Sequence, residues 1–253
     1  MNGLKKMKTD EIYCGDAYEL IKEIPDKSID LIMTDPPYKI DGLHAASGIL
    51  KIRKCGYLHT MEDHDLGQGI DLSILDEFVR VMKKINVFIW CNKEQIYDYI
   101  DYFVKKHNCA FEIIILATHT PAPFTYGHFL KDKEYCLYFR EKGVKLQTKD
   151  YSMLHTIYYK NSQEQRDGMK LYGHPTIKPE KVIESLISVA CEVGGGGIVL
   201  DPFIGSGTTA VACKRLGLHY IGFEISEEFY KVAKDRVNGI TKKEKEEGQM
   251  KLF

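Results

Sequence analysis

The stretch from Ser28 to Tyr38, SIDLIMTDPPY, limits the fold more than any other part of the chain. Ile29, Leu31, Ile32 and Met33 form a short apolar run that closes at Asp35. A run of this length, bounded by turn residues, reads as a strand buried on both faces of a parallel sheet. Pro36 and Pro37 follow at once, and neither can continue a helix or donate to a ladder. The chain must therefore leave the sheet stiffly at the strand's carboxyl end, where ligands sit in open α/β sheets. Asp35, the Pro36 carbonyl and Tyr38 become candidates for a site held on a loop with little freedom. The same residues also fit a plain strand and Pro-rich turn with a satisfied Asp.

A second unit, IVLDPFIGSGTT at 198–209, repeats the pattern of strand, acidic residue, glycine turn and helix. Gly205 and Gly207 let backbone approach a ligand closely. The helix that follows offers free N–H groups and partial positive charge. The next strand ends at Glu224, twenty-three residues after Asp201, where a carboxylate can accept bonds from ribose hydroxyls. GxGxxG spacing is absent, and an acid at the first strand's end repels a pyrophosphate. That argues against a nicotinamide dinucleotide and in favour of a ligand carrying an amino group or a sulfonium. Two carboxylates that only cap local turns would give the same sequence.

The remaining chain supplies an α/β frame. Strands are predicted at Glu11–Cys14, Ile29–Thr34, Val87–Trp90, Phe111–Ala117, Glu134–Phe139, Ile198–Leu200 and Tyr220–Phe223, with a short strand-like piece at Leu154–Tyr159. Helical periodicity covers Leu72–Met82, Ile96–Val104, Val182–Ala190, Ser206–Leu216 and a segment capped by Ser226. Asp16 and Glu19 have capping-box spacing, Asn92 and Gln95 resemble a cap, and Pro179 suits a helix N1 position. Strand, Pro-rich crossing and strand over 111–139 predict an antiparallel edge on a largely parallel sheet.

With 253 residues and 44% hydrophobic content, the chain can bury one large core. Net charge is −1, so any nucleic-acid surface must be local. Two segments could supply it. The loop 39–70 carries Lys51, Arg53, Lys54 and several histidines, whose spacing fits no zinc pattern. The excursion 141–173 interleaves basic and aromatic residues, including Lys160 and Arg166, which suits a nucleic-acid backbone or an ordinary solvated face. Tyr126, Lys131 and Lys133, in and after the crossing, join the candidate contacts. Seven scattered cysteines without a CxxC pair point to a reduced, cytoplasmic protein. No apolar run is long enough to span a bilayer, and the N-terminus lacks a secretory signal's apolar core. Residues 241–253 read as a flexible, charge-rich tail.

Four motifs, in order DPPY (35–38), HPTIKP (174–179), DPFIGSGTT (201–209) and GFEIS (222–226), resemble the amino-group DNA methyltransferases. Their order resembles that family's beta class, with the catalytic motif first and the cofactor loop last. The resemblance implies a single catalytic domain over 1–253. Its fold would be a circularly permuted, Rossmann-like class I methyltransferase sheet of about seven strands, one of them antiparallel, with helices on both faces. It implies S-adenosylmethionine as cofactor. Asp201, Pro202, Phe203, Gly205, Ser206, Gly207, Thr208 and Thr209 would wrap the methionine and ribose, beside Asp35, with Glu224 on the ribose. His174, Thr176 and Lys178 would hold the cofactor carboxylate. Asp16 matches the position that contacts adenine, with helix N-cap as its rival role. Asp35, Pro36, Pro37 and Tyr38 would be catalytic, acting on the N6 amino group of a flipped-out adenine in DNA. N4 of cytosine, an RNA substrate and a non-catalytic DNA-binding relative are the alternatives. A homodimer and a cognate restriction endonuclease are the further partners this family suggests.

Overall fold

The computed structural model of the protein describes residues 7–38, 69–118, 129–130, 132–148, 150–161, 170–172 and 177–240. Lys51, Arg53, Lys54, Tyr126, Lys131, Arg166, His174, Thr176 and the tail 241–253 lie outside the described residues, as does the loop up to residue 68.

Among the described residues, eight strands form one sheet. They are β1 (Glu11–Cys14), β2 (Leu31–Thr34), β3 (Asn86–Cys91), β4 (Ala110–Ala117), β5 (Lys133–Arg140), β6 (Ile157–Tyr159), β7 (Ile198–Asp201) and β8 (His219–Glu224). Their spatial order is β1-β8-β7-β2-β3-β5-β4-β6. β5 alone runs against the rest. The first and last parts of the described chain meet in the sheet, because β1 pairs with β8 and β2 with β7.

Two expectations change. The reversed strand lies inside the sheet, between β3 and β4, and not at its edge. The cause is burial: Cys136, Leu137, Tyr138 and Phe139 are all buried, whereas Phe111 and Ile113 of β4 are exposed. The strand-like piece near Tyr159 pairs with β4 as an eighth, edge strand.

Alternation along the strands builds two cores. Leu31, Met33, Phe88 and Trp90 face one side, under α4 (Glu180–Ala190) and α5 (Thr208–Leu216). Ile32, Val87 and Ile89 face the other, with Leu75 and Phe78 of α2 (Ile74–Val81) and Tyr99 of α3 (Ile96–Ile100). Full burial of side chains such as Phe78 contributes about 1.5–3 kcal/mol each.

Helix ends follow local chemistry. Asp16 caps α1 (Ala17–Leu20) by accepting the Tyr18 N–H at 2.8 Å. Asn92 and Gln95 exchange side-chain-to-backbone bonds ahead of α3, which continues as a π-helical turn over Asp101–Lys106. Pro179 is the N-cap residue of α4, one position earlier than N1. Gly207 and Gly217, both left-handed, bound α5, so that helix starts two residues later than its sequence period suggests. Ser226 caps α6 (Glu227–Val237).

Candidate active site

Crossover β7–α5–β8 runs towards β1, while β2–α2–β3 runs the other way. The strand order therefore reverses between β7 and β2, and a crevice opens at their carboxyl ends. Both sequence motifs leave the sheet there: Asp201 ends β7, and Asp35 follows β2. Glu224 ends β8, and Asp16 follows β1. Cys14 pairs with Glu224, Asp201 with Gly222, and Leu200 with Ile32. Asp16, Glu224, Asp201 and Asp35 thus form one acidic row across four adjacent strand tips. Three strand spacings make the row about 14 Å long.

At one end of the row, the double-proline loop after β2 is tightly held. Tyr38 donates its hydroxyl to Asp35 Oδ1 at 2.8 Å, and the Lys178 ammonium meets Asp35 Oδ2 at 2.8 Å. Lys178 also reaches Glu134 Oε2 at 3.1 Å and the Tyr38 hydroxyl at 3.2 Å. The Lys160 ammonium pairs with Glu134 Oε1. Gln95 Nε2 donates to the Pro37 carbonyl at 3.3 Å, tying the double-proline turn to the start of α3. The Lys178 ammonium lies 4.9 Å from the centroid of Trp90, a buried side chain whose Nε1–H has no hydrogen-bond partner among the described residues. Burial raises carboxylate pKa values, but Lys178 and Lys160 outweigh it and bring Glu134 down to about 2. Burial and the Asp35 charge hold Tyr38 well above the ordinary tyrosine value. Burial pushes the Cys91 thiol up to about 12 and holds Cys136 well above the ordinary thiol value, an environment that disfavours a thiolate.

In the middle of the row, Asp201 organises its own loop. Oδ1 accepts the Phe203 N–H at 3.1 Å, and Oδ2 accepts the Thr209 hydroxyl at 2.6 Å. Burial lifts this carboxyl to about 7, against the pull of those two donors. Glu224 Oε2 accepts the Gly205 N–H, and Oε1 accepts the Ser226 N–H at 2.8 Å. Gly207 has φ +82°, and a Cβ there would lie 3.2 Å from Ala233. Arg236 of α6, almost fully buried, donates to the Ser206 carbonyl, to Ser206 Oγ and to Thr208 Oγ1, and pairs with Glu180 at 2.6 Å. The glycine loop is thus fixed from both sides.

The structure brings Asp35, Pro36, Pro37, Tyr38, Asp201, Pro202, Phe203, Gly205, Ser206, Gly207, Thr208, Thr209, Glu224 and Asp16 to one edge of the sheet. Two residues meet partners that their sequence reading did not name, and a third, Asp16, takes the cap that was its rival role. The Lys178 ammonium, read as a partner of the cofactor carboxylate, meets Asp35, Glu134 and Tyr38 instead. Its three donors have three acceptors there. Lys160, read as a nucleic-acid contact, is mostly buried and neutralised by Glu134. Asp16 uses Oδ1 as a helix cap, although its carboxylate remains exposed. Lys133 is half exposed, 3.9 Å from Asp132. Glu134 and Arg236 went unnoticed in the sequence. Arg236 lies three residues after Ala233 on the buried stripe of its helix, an odd place for a cation. Glu134 carried no such signal.

Comparison with known proteins follows the same lines. The N6/N4 family model, described as DNA methylase, matches residues 29–235. The chain belongs to this family. It is a DNA methyltransferase of the amino-group type, dependent on S-adenosylmethionine. It is similar to the Type II methyltransferase M2.LlaDCHI of Lactococcus lactis subsp. cremoris, 27% identical over 88% of this chain and 87% of that protein. M2.DpnII of Streptococcus pneumoniae is 25% identical, with the same coverage. The crystal structure of the M1.HpyAVI–SAM complex superposes with a TM-score of 0.64 at 25% identity, over 90% of this chain and 98% of that one. The cytosine-N4-specific PvuII DNA methyltransferase, 18% identical, shares the fold with a TM-score of 0.64 over 91% of this chain and 87% of that one.

Proposed function

We propose that this methyltransferase modifies the N6 amino group of adenine in DNA, and that the acidic row is its cofactor track. The observation that carries the reading is the adjacency of β2 and β7, which sets Asp35 beside the Asp201 loop. The residues fit the cofactor. Glycine-lined backbone admits close approach at Gly205 and Gly207, and acids stand ready for ribose hydroxyls and for cationic groups. Asp16 would face the adenine moiety and Glu224 the ribose. Asp201, with Phe203 and the turn through Thr209, would hold the methionine part, and His174 and Thr176 its carboxylate. When bound, S-adenosylmethionine supplies an electrophilic methyl group on a sulfonium.

The target base must leave the duplex to reach Asp35. Its amino lone pair is delocalised into the ring and is a poor nucleophile. Asp35 and the Pro36 carbonyl accept the two amino hydrogens, drawing the nitrogen towards tetrahedral geometry. The lone pair would then take the methyl group as the C–S bond breaks, the sulfur leaving as a neutral thioether, and Asp35 would stabilise the positive charge on nitrogen until a proton passes to solvent. Acceptors fixed in advance need little reorganisation during this step. Tyr38 swings from Asp35 to stack on the extruded ring, a contact worth roughly 1–3 kcal/mol. An Asp at the first position of the tetrapeptide favours adenine over cytosine.

DNA would be held by the loop 39–70 and by the excursion 141–173. Tyr151 and, on the edge strand β6, Tyr159 are exposed there, with Phe129 nearby in sequence to Lys131 and Lys133. Lys51, Arg53, Lys54, Tyr126 and Arg166 belong to the same reading, which includes a cytoplasmic enzyme able to pair with a second copy or a cognate nuclease. Among the described residues no helix is long and apolar enough to cross a membrane.

Asp35→Ala should abolish methyl transfer while leaving the fold and much of the cofactor affinity intact. Nucleoside mass spectrometry of methylated plasmid reads both the loss and the identity of the product. N4-methylcytosine in place of N6-methyladenine ends the adenine reading. Near-normal turnover by the variant ends the role of Asp35.

A further inference from the structure

Asp35 presents two oxygens, and both are engaged before any substrate arrives: Oδ1 by the Tyr38 hydroxyl and Oδ2 by the Lys178 ammonium. These two contacts differ in kind. Tyr38 lies on the same double-proline loop and must move if its ring is to stack on a base. Lys178 is anchored beyond Asp35 by Glu134, at the start of the rigid strand β5, and Glu134 is in turn held by Lys160 just past β6. Cation and carboxylate alternate along this row, so each buried charge has an opposite neighbour.

We propose that Lys178 and Glu134 are positioning residues for methyl transfer: they pin Asp35 Oδ2, so that only Oδ1 turns to the incoming amino group as Tyr38 withdraws. This rests on the reading of Asp35 as the amino-hydrogen acceptor. The Tyr38 hydroxyl holds the place of that hydrogen, which spares Oδ1 from standing unpaired while the site is empty. At Oδ1 the exchange replaces one hydroxyl bond by one amino bond, while the Lys178 donor that meets the Tyr38 hydroxyl at 3.2 Å is released as the ring moves. A carboxylate free to rotate about its own stem would present its oxygens in many orientations. One clamped at Oδ2 presents a single one, as a preorganised site requires.

Titration offers a readout that a merely structural role would not move. The groups facing the ammonium are Asp35 and Tyr38 from the loop after β2, Cys91 on β3, and Glu134 and Cys136 on β5. Burial alone would lower the Lys178 pKa, but Asp35, Tyr38 and Glu134 outweigh it and hold it well above the ordinary lysine value. Glu134→Gln deletes one of those charges and keeps the burial, so the ammonium loses its proton at lower pH.

The experiment measures kcat against pH, together with cofactor affinity by calorimetry, for the full-length wild type and Glu134→Gln. The expected result is a kcat lower by up to about 100-fold, an alkaline limb shifted to lower pH, and unchanged affinity for S-adenosylmethionine. Wild-type kcat with an unshifted profile overturns the proposal. So does weakened cofactor affinity with unchanged kcat, which would return Lys178 to the cofactor carboxylate. Lys160→Met, which leaves the Lys178–Asp35 pair in place, serves if Glu134→Gln does not fold. It should lower kcat by less and leave the alkaline limb no lower than in the wild type, because it removes a cation near the ammonium and not an anion, and wild-type kcat for it overturns the proposal equally. Turnover by Asp35→Ala would instead remove the underlying reading, and the two failures are thus distinct.

Discussion

Glu224 Oε2 accepts the Gly205 N–H at 3.0 Å, so the end of β8 holds the turn that follows β7. Its other oxygen takes the Ser226 N–H at the start of α6. One carboxylate therefore links the two loops that would embrace the cofactor.

Glu224→Ala should weaken S-adenosylmethionine binding more than the loss of ribose contacts alone. Each hydrogen bond to a charged group is worth about 1.5–3 kcal/mol, and two backbone bonds vanish with the side chain. Isothermal calorimetry reads the change. Affinity close to wild type would show that the turn holds its shape without Glu224.

Cofactor affinity should rise with pH and level off near neutrality. The Asp201 carboxyl titrates at about 7, and its ionised form is the one that attracts a cationic amino group. Below that pH, affinity should change about tenfold per pH unit, with proton release on binding. Without cofactor the sign reverses. A carboxyl raised above its ordinary 3.8 contributes stability that is full below about pH 4 and gone above about 7. Calorimetry in buffers of different ionisation enthalpy tests the first statement, and urea melts across pH the second. Asp201→Asn should flatten both curves.

Tyr38→Ala and Tyr38→Phe should part company. The alanine variant loses the ring face and about 1–3 kcal/mol of stacking on the extruded base. The phenylalanine variant keeps the face and leaves Asp35 Oδ1 open, so its defect should be smaller. Fluorescence of 2-aminopurine at the target position reports base extrusion in each. Equal losses would assign the contact to the hydroxyl.

Arg236→Met should destabilise the protein by about 3 kcal/mol, the lower end for breaking a buried ion pair, because Glu180 keeps Arg215 at 2.6 Å. Ser206 and Thr208 lose a shared donor, so cofactor affinity should fall as well. Denaturant unfolding measures the first effect. A loss within the range of an exposed pair, under about 1 kcal/mol, would mean that the loop does not depend on this clamp.

Much of this site was legible in the chain itself, because its parts are local. A strand stopped by Asp35 and two prolines, and a strand stopped by Asp201 and a glycine turn, each announce a loop at a strand tip. Glu224 follows at the distance of one helix and one strand. What stayed hidden depends on residues far apart in sequence. Nothing near Glu134 announces that its partner is Lys178, and nothing near Lys160 that its charge is spent on Glu134. The interior place of β5 was missed for a related reason. Periodicity identifies a buried strand but not the neighbours that bury it. Arg236 is the instructive middle case, since the helical phase of Ala233 and Val237 already places it facing inward.

The pairing of β2 with β7 and of β1 with β8 also has a consequence for biosynthesis. A nascent chain translated as far as Gly197 already carries Asp35, Tyr38 and Lys178, yet the two strands that join β1 to β2 are missing. Domains fold as units while they emerge from the ribosome. Methylating competence must therefore arrive late and all at once, when the final two strands slot into the gap left for them.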